Sequence, residues 1–223
     1  MICSILSAIR RFSDGLDESD ASLLNKIAEI SLCHSDGYTR AISISALTST
    51  IWPAYPLFEP VFRNYSCQLI EMISNDYLPI SLETIRLWEE IAVVEEERAL
   101  KQQSKFFICS VAEPLLEAIS RKALRELSEK DFGEVSTPSE VAWSCLKAVS
   151  KCIPERILHE FSSRFYSNHI KSFDWQSRTS AILVLGSCLL GQSDRSVIET
   201  LPLILRETEG PSDVHVAKSA VSV

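Results

Sequence analysis

The chain has 223 residues and a mass of 25.0 kDa, with 46% hydrophobic and 23% charged residues, which excludes a disordered polymer. Its 6 Gly and 9 Pro are too few for a loop-rich all-β protein. Acids outnumber bases 30 to 22, for a net charge of −8 and a pI near 5.1; this argues against a nucleic-acid binder and suits basic partners.

Apolar residues recur with helical period throughout, and strict alternation is nearly absent. Ile2, Ile5, Leu6 and Ile9 predict a first helix. Asp20 reads as the N-cap of a second, carried by Leu23, Leu24, Ile27 and Ile30. Gly37 opens a third, through Ile44, Leu47 and Ile51, closed by Pro53. Phe58, Val61, Tyr65, Leu69 and Met72 give a fourth. Leu82, Ile85, Trp88 and Ala92 begin a fifth that runs into Glu95-Glu96-Glu97-Arg98. Ile108, Val111, Leu115 and Ile119 give a sixth. Periodicity breaks over 128–139, the main predicted loop. Val141, Cys145, Ala148 and Cys152 mark a seventh helix. Ile157, Phe161 and Phe165 mark an eighth, and Trp175, Ile182, Leu185 and Leu189 a ninth. Val197, Leu201 and Ile204 mark a tenth, and Val214 to Val223 starts an eleventh.

Alternate helices share an opening, with Ala46, Thr84, Trp143, Ala181 and Ala220 as equivalent points at steps of 38, 59, 38 and 39 residues. That period predicts an all-α superhelix of the HEAT/armadillo type, with outer A and inner B helices stacking to bury one continuous core. Residues 1–223 read as one array of about five hairpins with partial repeats at both ends. Neither end carries a polar cap, so the chain reads as an internal piece of a longer array or a truncated product.

No P-loop, GxGxxG, HExxH or GxSxG is present, and the four His are scattered, so no catalysis, cofactor or metal is expected. Seven Cys without a CxxC read as reduced intracellular thiols; Cys145 and Cys152, seven apart, read as core thiols on one helix face. No apolar run reaches 18 residues, and Met1 is followed by no secretory signal, so no membrane insertion is expected.

Several stretches together resemble the importin-β family. The run Leu82-Glu83-Thr84-Ile85-Arg86-Leu87-Trp88-Glu89-Glu90-Ile91 resembles its "GIEFW" B helix, and Ser104-Lys105-Phe106-Phe107 its "SKFY". Phe173-Asp174-Trp175-Gln176-Ser177-Arg178, with Gly186-Ser187-Cys188, resembles "PDWRYRDAAVMAFGCIL", and Gly210-Pro211-Ser212-Asp213-Val214 the next turn. The order holds over nearly the whole chain, placing Met1 in helix B of a fifth repeat and Val223 in helix B of a tenth. The resemblance implies a nuclear transport receptor segment in cytoplasm and nucleus, at the nuclear pore and envelope. It implies basic import signals or an importin-α-type adaptor on the concave face and FG nucleoporins on the convex face. The alternative is a HEAT scaffold for complex assembly outside transport.

Within that frame, Trp88, Glu89 and Glu90 on an inner helix are candidate contacts for a basic cargo or adaptor, the Trp face and the carboxylates receiving Lys or Arg. The bland reading is a core Trp beside solvated acids. Glu95 and Glu96 are open to the same two readings. Asp20, Leu23 and Leu24 match an outer helix that forms an FG groove in the family, the next groove being completed by Phe58 and Phe62; ordinary inter-repeat packing is the alternative. Trp143 and Trp175 are expected to pack between hairpins, and Arg178, four after Asp174, to bind neighbouring turns of the stack. The loop at 128–139 has three acids and one Lys where the family carries a dense acidic run, so Ran binding is expected to be weak or absent.

Overall fold

The computed structural model describes residues 18–126, 138–189, 201, 202 and 204. Among these there are helices and turns and no strand. The chain divides into two compact units, residues 1–111 and 112–223. The predicted first and eleventh helices and residues 128–137 of the predicted loop lie outside the described residues.

In the first unit, α1 (Glu18–Cys33) pairs with α2 (Gly37–Ala54), and α3 (Glu59–Asn75) with α4 (Leu78–Leu100). The hairpins stack like on like: α1 against α3 in an A layer, α2 against α4 in a B layer. Helix α1 already runs from Glu18, so Asp20 stands inside it and is not its N-cap. Asp36 is a true cap: its Oδ2 accepts from Thr39 N–H at 2.8 Å and from the Thr39 hydroxyl at 2.6 Å. Pro53 does not stop α2 at once. The helix ends at Ala54, and a 3₁₀ turn, Tyr55–Phe58, leads into α3. Pro79 falls in the first turn of α4, where its missing N–H is no loss, so that helix starts four residues before Leu82.

The predicted sixth helix is broken in two: a single turn, α5 (Phe107–Ser110), and α6 (Ala112–Glu126) in the second unit. Pro114 explains the break, since it has no N–H for the Ser110 carbonyl and its ring would crowd that group.

The second unit repeats the plan. Helix α6 packs on α7 (Pro138–Ser150), α8 (Glu155–His169) on α9 (Trp175–Leu189), α6 on α8 and α7 on α9. Glu113 and Arg164 bridge the A helices at 2.9 Å. Helix α7 ends at Ser150, so Cys152 lies in the following turn and does not share a helix face with Cys145. Leu201, Pro202 and Ile204 are helical, and buried Ile204 joins Tyr166, Ala181, Ile182, Leu185 and Leu189, with Ile170 and Trp175 against that cluster.

Asp174 caps α9 as Asp36 caps α2, accepting from Ser177 N–H at 2.9 Å and the Ser177 hydroxyl at 2.8 Å. Four residues after each cap stands an arginine, and the two differ in use. Arg40 crosses to the next hairpin with two parallel bonds to Asp76, at 2.8 and 2.7 Å. Arg178 donates to the carbonyls of Ser172 and Phe173, in the turn just before its own helix.

Candidate functional site

Trp88, which the sequence leaves open between a cargo contact and a core position, lies in the core. Helix α4 buries Ile80, Ser81, Thr84, Ile85, Leu87, Trp88, Ile91, Ala92, Val94 and Glu95. Trp88 is 0% exposed, 5.7 Å centroid to centroid from Phe62, and Phe62 lies 4.3 Å from Phe107. Its indole N–H is buried with no hydrogen-bond acceptor. An aromatic ring so enclosed cannot receive a partner's cation, so Trp88 is a core residue and not a cargo contact.

Glu95 is likewise buried, at 2% exposure. Its Oε1 accepts from the Tyr55 hydroxyl at 2.7 Å and from Phe107 N–H at 2.5 Å; its Oε2 accepts from Ile108 N–H at 3.2 Å. The Tyr55 oxygen accepts in turn from Lys105 N–H at 2.8 Å. Burial pushes the Glu95 carboxyl above the usual carboxylate range, against three hydrogen bonds that favour its charged form. Burial raises the Tyr55 phenol too, with the adjacent carboxylate adding to it. Glu95 therefore fastens the loop after α4, where Gln102 and Phe106 take left-handed backbone conformations, onto the start of α5. It is a structural anchor and not a partner contact.

Glu89 and Glu90 keep a half-exposed position on α4, and Glu96 an exposed one. Glu90 accepts a hydrogen bond from the indole N–H of Trp52, an exposed residue near the end of α2. The Arg98 guanidinium donates to the Trp52 carbonyl at 3.3 Å and lies 4.8 Å from the centre of the Tyr55 ring. Trp52 is thus the exposed Trp of this B layer. A signal existed: Tyr38, Ser45, Ser49 and Trp52 recur on the exposed face of α2, while Ile44, Leu47 and Ile51 recur inside.

Higher on the same layer, Tyr38, Ala41, Ile42 and Ser45 of α2 and Leu78, Pro79, Leu82, Glu83 and Arg86 of α4 line an open groove of about 460 Å³.

On the A layer, a groove of about 430 Å³ runs between α1, the 3₁₀ turn and α3, and side chains other than those the sequence offered line it. These are Ala21, Pro56, Leu57, Glu59, Pro60, Arg63 and Asn64. Leu24, Phe58 and Phe62 are buried beneath and Leu23 is half-buried; the core of the hairpin pair needs their apolar area, so the first three cannot offer it to a nucleoporin peptide. Asp20 stands in the first turn of α1, and its side chain lies outside the described set. Trp143 is half-buried on α7. Among the described residues, no cluster of His, Cys, Asp or Glu could hold a metal ion, and no helix is long and apolar enough to cross a membrane.

No family model matches the chain. Solved structures do match it. The chain is similar to yeast importin-β (Kap95p) at a TM-score of 0.80 and 19% identity, over 92% of this chain and 25% of that one. The same protein in the Kap95:Nup1 complex matches at a TM-score of 0.79 and 19% identity, over 91% and 25%. Kap121p bound to Pho4p matches at 0.72 and 16% identity, over 98% and 23%. The fold is the HEAT-repeat fold of the karyopherins. The chain spans about a quarter of the length of these proteins.

Proposed function

We propose that this chain is a nuclear transport receptor segment that receives basic cargo or adaptor on its B layer and acts in cytoplasm and nucleus, at the pore. The observation that carries this reading is the likeness to importin-β structures over more than nine tenths of the chain. The acidity of the exposed B layer supports it: α4 holds six glutamates against two arginines, and of the six only Glu95 is committed to the interior. The contact residues of this reading are Glu89, Glu90 and Glu96, with Trp52 replacing Trp88.

The A-layer groove at Pro56, Leu57 and Pro60 is the place for FG nucleoporin peptides, and Kap95 has been captured with Nup1. Kap95p has also been captured with Ran. Our reading keeps Ran binding by this chain weak or absent, because the loop at 128–139 lacks a dense acidic run. A direct comparison of three immobilised baits tests the reading. The importin-α-type basic segment and FG peptides should retain the chain, and RanGTP should not. Retention by none of them would remove the transport reading and leave a HEAT scaffold.

A further inference from the structure

The groove between the starts of α2 and α4 has walls that a purely electrostatic partner would leave unused. Tyr38 is 67% exposed and Leu78 36%, and Ala41, Ile42, Pro79 and Leu82 continue the apolar lining between them. Its charged rim is self-neutralised, since Arg86 and Glu83 pair at 2.5 Å. One helical turn beyond Arg86 come Glu89 and Glu90, the latter carrying the Trp52 indole. So one continuous face is apolar at the starts of the B helices and acidic with an exposed Trp farther along.

We propose that the groove is an anchor pocket, and that the partner of this face is a peptide with one large apolar side chain placed about four extended residues from a Lys/Arg pair. The proposal rests on the basic-partner reading and adds the anchor. The spacing follows from helix geometry. Leu82 and Glu90 are eight positions apart on α4, about 12 Å at the rise of an α-helix. An extended chain covers that in about four residues. The driving terms are separate: burial of apolar area in a concave site with few polar groups, and attraction of cations to Glu89 and Glu90.

The test uses the full 223-residue chain and fluorescence anisotropy with three labelled peptides. The first carries Leu and, four residues on, a Lys-Arg pair. The second has Ala in place of Leu, and the third has Glu in place of Lys and Arg. The first should bind about tenfold more tightly than either other peptide. Tyr38→Ser with Leu78→Ser, both outside the core and checked by circular dichroism, should abolish the advantage of Leu over Ala and leave the Ala peptide unchanged. Equal binding of the Leu and Ala peptides overturns the pocket and leaves the basic-partner reading standing. Equal binding of the Glu peptide overturns the charge half and that reading with it. Binding of none overturns both. Self-association of the chain that the double variant abolishes would give the groove to a second copy and overturn the peptide proposal.

Discussion

Replacing Glu95 by Ala removes the acceptor for three donors at once: the Tyr55 hydroxyl and the N–H groups of Phe107 and Ile108. A buried donor left without its partner costs about 1 kcal/mol at the low end, so the three together cost about 3 kcal/mol. Lost burial of the side-chain methylenes adds about 1 kcal/mol. Relief from holding a carboxylate out of water works the other way, leaving a net destabilisation of about 2–4 kcal/mol. Circular dichroism during urea unfolding measures it, and the loop after α4 should become cleavable by trypsin at Lys101 and Lys105. The pH dependence has a definite sign. Burial raises the folded-state pKa of Glu95 above its ordinary 4.5. The folded state then holds the proton to higher pH than the unfolded chain. The contribution of Glu95 to stability is therefore full below 4.5 and shrinks as pH rises through the window above it. The gap between the native chain and the variant should narrow over that rise. A gap that widens with pH, or a loss below about 0.5 kcal/mol, refutes the anchor.

Trp88→Ala should cost about 3–5 kcal/mol by urea denaturation, and Trp88→Phe much less, because the indole N–H has no acceptor to lose. A double-mutant cycle on Arg40→Leu and Asp76→Leu should show about 1–2 kcal/mol of coupling between the first two hairpins, since the pair is bidentate and largely shielded. Among the described cysteines, native-state thiol labelling should reach exposed Cys33 and Cys67 first. Cys188, whose thiol burial pushes up to about 12, should react only on unfolding.

The helical class and the hairpin period were legible because core positions recur every three or four residues, as Leu69, Met72 and Ile73 do on α3. The paired carboxylates Glu89 and Glu90 were also placed on a B helix from that period. What the period could not tell was which of two neighbouring faces a residue joins. Trp88 lies one residue from Glu89, and α4 buries so wide an arc, from Leu87 and Trp88 round to Ile91 and Ala92, that a Trp at its edge goes inside. Glu95 was hidden for another reason: its partners Phe107 and Ile108 are a loop away, and nothing local marks a carboxylate that will meet two backbone N–H groups. The lining of the A-layer groove, Ala21, Pro56, Leu57, Glu59, Pro60, Arg63 and Asn64, is not legible from the helical period. Leu24, Phe58 and Phe62, which the sequence offers to that groove, are the ones the hairpin pair needs for its own core.

The central claim is that the exposed carboxylates of the B layer receive a basic segment. The direct measurement is a titration of the chain with a Lys/Arg-rich adaptor peptide at low and at physiological salt, repeated for Glu89→Lys with Glu90→Lys. Exposed pairs contribute about 0.2–1 kcal/mol each, and screening shortens to about 8 Å at physiological ionic strength. The account predicts weak binding that fades with salt and drops about tenfold on the double reversal. Affinity that neither salt nor the reversal changes would contradict it.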